Sequence, residues 1–151
     1  MSTAQLTPVA PAVATFLSKP RKLYIDGKWV EAAGGKTFET LNPASGEVLA
    51  RVAEGGKADA GKAVTAARKA FESGPWPRMT VSERGRLLWK LADLLEQHTE
   101  EFAQLESLDN GKPVAVARAA DVPLAADMFR YMAGLATKLE GTTIPISVPY
   151  T

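Results

Sequence analysis

Phe38 to Gly74, FETLNPASGEVLARVAEGGKADAGKAVTAARKAFESG, changes its hydrophobic period halfway along. Before Gly55-Gly56, Phe38 and Thr40 and then Val48, Ala50 and Val52 alternate on either side of Asn42-Pro43-Ala44-Ser45-Gly46. That is the pattern of two strands joined by turn formers. After the glycines, Ala60, Ala63, Val64, Ala67 and Phe71 recur at a spacing near 3.6, with Lys57, Asp59, Lys62, Arg68 and Glu72 largely off that face. A hairpin followed by an amphipathic helix is predicted, the helix ending at Ser73-Gly74-Pro75.

Outward toward the N-terminus, Leu23-Tyr24-Ile25 and Lys28-Trp29-Val30 flank Asp26-Gly27, a two-residue turn that tolerates positive φ at both positions. A first hairpin is predicted there, with Gly34-Gly35 as the next turn. Outward toward the C-terminus, Thr80-Val81-Ser82-Glu83 has the form of a capping box. It precedes a broad apolar face of Leu87, Leu88, Leu91, Leu94 and Leu95. Thr99-Glu100-Glu101 reads as the cap of a further helix carrying Phe102, Leu105 and Leu108, closed by Asn110-Gly111. Pro113 suits the first turn of another helix. Pro123 should interrupt it, Asp121 could cap the restart, and Leu124, Met128, Tyr131, Met132, Leu135 and Leu139 then share one face up to Gly141. Residues 142–151 read as one extended strand without a partner.

The chain has 151 residues, 46% of them hydrophobic and 23% charged, enough for one ordinary domain. With 18 basic and 17 acidic residues the net charge is +1, so bulk charge selects neither nucleic acid nor an anionic membrane. There is no cysteine. That excludes a disulfide framework, a thiolate zinc site and a cysteine nucleophile within these residues. Residues 1–22 place their basic cluster, Lys19, Arg21 and Lys22, after the apolar stretch, which is the wrong order for a signal peptide. The stretch from Val9 to Leu17 is too short to span a bilayer. A flexible, retained arm in a cytoplasmic protein is expected.

Few residues carry chemistry by pattern. His98 is the only histidine, and nothing places a serine nucleophile beside it, so a surface histidine is the better reading. None of the glycines follows G-x-G-x-x-G or a phosphate loop. Trp29, Trp76 and Trp89 have no basic stripe joining them and read as packing residues. Asp109 stands out. It lies in the last turn of its helix, where the macrodipole disfavours an anion by about 0.3–1 kcal/mol. Lys112 or a bound hard cation would relieve it.

With these residues laid out, the chain resembles the N-terminal part of the NAD(P)-dependent aldehyde dehydrogenase superfamily. The resemblance rests on Tyr24-Ile25-Asp26-Gly27-Lys28-Trp29-Val30, on FETLNPASGEVLARVAEG (38–55) and on AARKAFESGPW (66–76). It continues through ERGRLLWKLADLLE (83–96), LESLDNGKP (105–113) and FRYMAGLATKLEGTTIP (129–145). The whole looks most like phenylacetaldehyde dehydrogenases. The resemblance implies an α/β fold, with this chain as the N-terminal part of the coenzyme-binding domain: β-hairpins and packed helices over residues 23–141, and the start of an oligomerisation strand over 142–151. It further implies oxidation of an aldehyde to a carboxylic acid with NAD or NADP, by a homo-oligomer with no nucleic-acid or membrane partner.

Residue by residue, Asp109 matches the acid that helps to hold a monovalent cation, and Thr40 and Leu41 match the carbonyls of that site. Ala120 and Leu124 fall on substrate-tunnel positions, with Met128 one turn on. The family's nucleophilic cysteine, catalytic glutamate and nicotinamide loop match no residue here, so the chain alone is expected to be inactive, as a truncated or split enzyme that pairs with a C-terminal segment. Two alternatives stay open: a module that pairs through its terminal strand, and a non-functional remnant with exposed apolar faces.

Overall fold

The structure, a computed structural model, describes residues 9–145 and 147. Two antiparallel hairpins lead into a set of packed helices. In the first hairpin, β1 (Leu23–Ile25) pairs with β2 (Lys28–Val30). Asp26 and Gly27 both adopt positive φ, 52° and 74°, so the turn has the geometry its sequence predicts. In the second, β3 (Thr37–Leu41) pairs with β4 (Val48–Ala53), with a register shift between Thr40 and Leu41. Both sheets are two-stranded.

The segment expected as a flexible arm over residues 1–22 is docked from Ala10 onward. A helix α1 (Pro11–Leu17) starts with proline at its first position and buries Val13. The Ala10 N–H donates to Gln104 Oε1 at 2.7 Å. Arg21 then lies along β4: its N–H donates to the Arg51 carbonyl, and the Ala53 N–H donates to the Arg21 carbonyl, both at 2.8 Å. These bonds cover the outer edge of the hairpin. The basic cluster is used internally, since Lys22 pairs with Glu31 at 2.7 Å and the Arg21 guanidinium sits 4.3 Å above the Phe16 ring.

Helix α2 (Lys57–Ser73) begins at Gly56, whose N–H donates to the buried Asp59 carboxylate. The same carboxylate accepts the Ala33 N–H, tying α2 to the chain after β2. After a short turn (Trp76–Arg78), α3 (Val81–Gln97) is opened by the predicted box: Thr80 Oγ1 accepts the Glu83 N–H and Glu83 accepts the Thr80 N–H. Helix α4 (Thr99–Asn110) has His98, not Thr99, at its cap position, and the Thr99 hydroxyl donates back to the Glu96 carbonyl at 2.6 Å. It ends at Gly111 in the left-handed region, φ 80°.

Beyond Pro113 the chain is helical without a break: α5 (Val114–Val116), a π turn (Ala117–Asp121) and α6 (Val122–Leu135). Pro123 does not interrupt this run. The turn before it widens, with the Val122 N–H donating to the Ala117 carbonyl five residues back. Asp121 is not a cap; it receives an ion pair from Lys112 at 2.5 Å. Helix α6 stops at Leu135, so Leu139 lies beyond it and is exposed. Residues 142–145 form no strand, and much of the strand expected over 142–151 lies outside the described residues.

The faces that pack differ from those read by side-chain size. Among the described residues, helices α3 and α6 make the most extensive pairing, and apart from Val122 at the start of α6 their buried residues are small: Gly85 and Ala92 on α3, Ala126 on α6. A Cβ at Gly85 would stand 3.0 Å from the Ala133 carbonyl oxygen, so the backbones approach as closely as glycine permits. Leu87, Leu91 and Leu94 on α3, and Leu124, Met128 and Tyr131 on α6, face outward. The face of α2 is likewise uncovered, with Phe71 74% exposed. The tryptophans are also substantially exposed: Trp29 packs on Tyr24 with ring centroids 5.0 Å apart, and Trp89 faces Arg130. Replacing Gly85 by valine should wedge α3 from α6 and cost about 1–3 kcal/mol, measured as a lower midpoint in urea unfolding of the chain.

Candidate functional site

The end of β3 and the end of α4 are brought together by two tight features. Asn42 is buried and its loop is closed by its own side chain, Oδ1 accepting the Ala44 N–H at 2.9 Å. Gly111, turning left-handed, packs against that loop so closely that a Cβ there would lie 3.1 Å from Pro43 Cγ. Thr40 and Asp109 therefore line one cavity of about 610 Å³, between α1, the second hairpin and α4. Its other walls are mainly apolar, including Phe16, Phe38 and Phe102. Leu41 does not line it.

Lys112, the nearby base expected to neutralise Asp109, turns instead toward Asp121 and, at 3.8 Å, Glu106. Hydrogen bonding to Asp121 raises the Lys112 pKa above its ordinary value. Among the described residues, no group of three or more His, Cys, Asp or Glu is placed to hold a metal ion. A lone carboxylate with backbone oxygens is the donor set of a weakly held hard cation, not of a transition metal.

Of the expected tunnel residues, Leu124 lines a second cavity of about 360 Å³ with Leu95, Phe102, Glu106, Asp121 and Val122. Ala120 and Met128 do not line it; Ala120 is half-buried within the π turn and Met128 is exposed one helical turn beyond Leu124. The three share one side of the helix by their spacing of four. His98 is an exposed junction residue, its Nδ1 3.2 Å from Glu101.

Ion pairs join the helices, and sequence reading missed them. Arg118 grips Glu100 with two bonds, Nε to Oε2 at 2.7 Å and Nη2 to Oε1 at 2.8 Å. Gln104 donates to the same carboxylate. Arg118 and then Gln104 hold the Glu100 carboxyl down to about 2. Arg130 reaches from α6 to Glu96 at 2.5 Å and Asp93 at 2.9 Å on α3. These partners are many residues apart, and no local spacing announces them. Asp59 is different: an acid three residues after Gly56 is a helix-start signal. The Gly56 N–H holds its pKa below the ordinary value against the opposing effect of burial.

No dinucleotide cradle forms among the described residues. The positive-φ glycines, Gly27, Gly35, Gly46 and Gly111, serve hairpins, a turn and a helix end, and neither sheet is parallel. No described helix is long and apolar enough to cross a membrane.

Two hairpins, helices with uncovered apolar faces and an acid beside a strand end are what a portion of a larger α/β domain would present. Residues 29–151 match the model of the aldehyde dehydrogenase family, and the chain belongs to that family. It is 52% identical over 129 residues to the mitochondrial aldehyde dehydrogenase family 2 member B4 of Arabidopsis thaliana, covering 85% of this chain and 24% of that protein. It is 48% identical over 143 residues to the mitochondrial benzaldehyde dehydrogenase of Antirrhinum majus, covering 95% of this chain and 26% of that one. It superposes on the aldehyde dehydrogenase of Bacillus cereus in its NAD⁺ complex with a TM-score of 0.88 and 54% identity, over 93% of this chain and 28% of that one. The chain thus spans roughly a quarter of the curated relatives' length. Its fold is that of the N-terminal part of the family's NAD-binding domain.

Because the Glu100 carboxyl is depressed in the folded chain from its ordinary 4.5, its contribution to stability is fully present above about pH 4.5 and is lost as pH falls toward 2. Urea unfolding across that range should show an only slightly shallower acid loss in Arg118→Met than in the parent, because the pair is half-exposed and screened by solvent.

Proposed function

We propose that this chain is the N-terminal part of the coenzyme-binding domain of an NAD(P)-dependent aldehyde dehydrogenase, with residues 142–151 beginning an oligomerisation strand. Joined to the rest of that domain and to the segment bearing a nucleophilic cysteine, it oxidises an aldehyde to a carboxylic acid as part of a homo-oligomer. The observation that carries this reading is that the outward apolar faces of α2, α3 and α6 belong to a chain that follows an NAD⁺-binding aldehyde dehydrogenase over its N-terminal portion. Exposed surface of that extent is normally an interface. The chain itself holds no cysteine, so it supplies scaffold and walls, and not the thiolate.

Leu124 and Met128, with Ala120 upstream, form part of the aldehyde tunnel in this proposal. Small and aliphatic side chains there leave room for an aromatic aldehyde, phenylacetaldehyde being the example argued from sequence. The likeness to a benzaldehyde dehydrogenase supports an aromatic substrate. Asp109, with the carbonyls of Thr40 and Leu41, holds a monovalent cation that stiffens the contact between β3 and α4. The shared cavity of Thr40 and Asp109 supports this pair; Leu41 does not line that cavity.

NAD⁺-dependent oxidation of phenylacetaldehyde should be absent from the chain alone and appear when it is joined to the C-terminal portion of a relative; activity of the chain alone would overturn the proposal. In the joined enzyme, Leu124→Trp should lower kcat/KM for aromatic aldehydes by about tenfold or more, in line with a steric block in an apolar pocket. Unchanged activity would remove Leu124 from the tunnel. Potassium or sodium should raise the melting temperature of the chain, and Asp109→Ala should abolish that rise.

A further inference from the structure

The π turn between α5 and α6 has a cause in the packing around it. Ala103 on α4, Ala117 and Val122 form one buried cluster. Ala117 and Val122 are five residues apart, and in an α-helix that spacing would point them about 140° away from each other. In a π turn the same spacing brings them to one side, so both reach Ala103. Pro123, with no N–H to give and a ring that crowds the preceding turn, suits the widened geometry.

A wide turn of this kind is a weak point unless it is held. Two ion pairs fasten it, one to α4 and one to the loop that follows α4. Arg118 near its start grips Glu100 with two parallel bonds, and Asp121 at its end is held by Lys112. Glu100 is itself oriented by Gln104, whose carbonyl accepts the Ala10 N–H at the head of α1. The wall of the 360 Å³ cavity begins where the turn ends, with Asp121, Val122 and Leu124.

We propose that Arg118 is a positioning residue that, through its two-bond grip on Glu100, fixes the π turn and thereby the placement of Ala120 and Leu124, setting which aldehydes fit. The role in specificity rests on the aldehyde-oxidising reading above; the grip on the turn does not. Arg118 lines neither the 610 Å³ nor the 360 Å³ cavity. A half-exposed pair contributes little to global stability, whereas a planar two-bond grip is directional. Its effect is therefore local.

The test is backbone hydrogen exchange in the 151-residue chain. Arg118→Met should speed exchange at residues 119–122 by roughly threefold to tenfold, the scale of one surface ion pair acting on a local opening. Residues 126–135 of α6 should be unaffected, and the reversed pair Glu100→Arg with Arg118→Glu should restore protection. Unchanged exchange at 119–122 overturns the proposal, as does loosening that spreads along α6 and is not restored by the reversed pair. In the joined enzyme, Arg118→Met should change the ratio of kcat/KM for an aromatic aldehyde to that for acetaldehyde, through KM with kcat held. An unchanged ratio removes the role in specificity. An inactive joined enzyme overturns the aldehyde-oxidising reading and that role together, while the exchange result alone decides whether Arg118 holds the turn.

Discussion

The approach of α3 to α6 through Gly85 is the constraint on which the helical part of the molecule depends. Two helices whose facing residues are small can bring their backbones close, and dispersion between backbone atoms then replaces contacts that large side chains would make. The consequence is an inversion of the usual arrangement. Gly85, Ala92 and Ala126 are inside, while Leu87, Leu91, Leu94, Leu124, Met128 and Tyr131 are turned outward. Arg130 secures the seam on its polar side by reaching from α6 to Asp93 and Glu96. The large side chains on the outside make this chain a surface for further structure, as its place at the N-terminal end of a longer family fold would require.

A second constraint links that seam to the rest. Helix α4 touches the π turn through Ala103, the head of α1 through Gln104 and the loop of the second hairpin through Gly111. Shifting α4 would disturb both candidate sites at once, because Asp109 rides on its last turn and Glu100 on its first. The hairpin edge closed by Arg21 and the α2 start closed by Asp59 serve the same end. Each ties a local element to a distant one by satisfying backbone N–H groups, Asp59 with its carboxylate and Arg21 with its own backbone, and such bonds are directional and costly to leave unmade once water is excluded.

Much of this was legible in sequence where the cause was local. Asp26-Gly27, Thr80 with Glu83, and Gly111 fix backbone conformations within a few residues, and all three adopted the geometry their chemistry dictates. Hydrophobic period also separated strands from helices correctly from Phe38 to Gly74. It failed on the packing faces because period ranks residues by apolar size, and the seam selects for smallness. It failed at Ala117–Val122 because a spacing of five belongs to no template of 3.6. The docking of residues 10–21 has no local signature, because its anchors are a buried valine and bonds to groups distant in the chain.

The sequence by itself determined the hairpins, the starts of α2 and α3, the ends of α2 and α4, the absence of a thiol and the family, since these follow from residue types read along the chain. Tertiary structure decided which faces pack, that the turn before Pro123 widens instead of breaking, and that Thr40 and Asp109 line one cavity while Lys112 pairs with Asp121. The physical reason is that these outcomes depend on the distance between backbones far apart in sequence. A difference of one methyl group at Gly85 or Gly111 would alter that distance, and no periodicity along a single strand or helix records it.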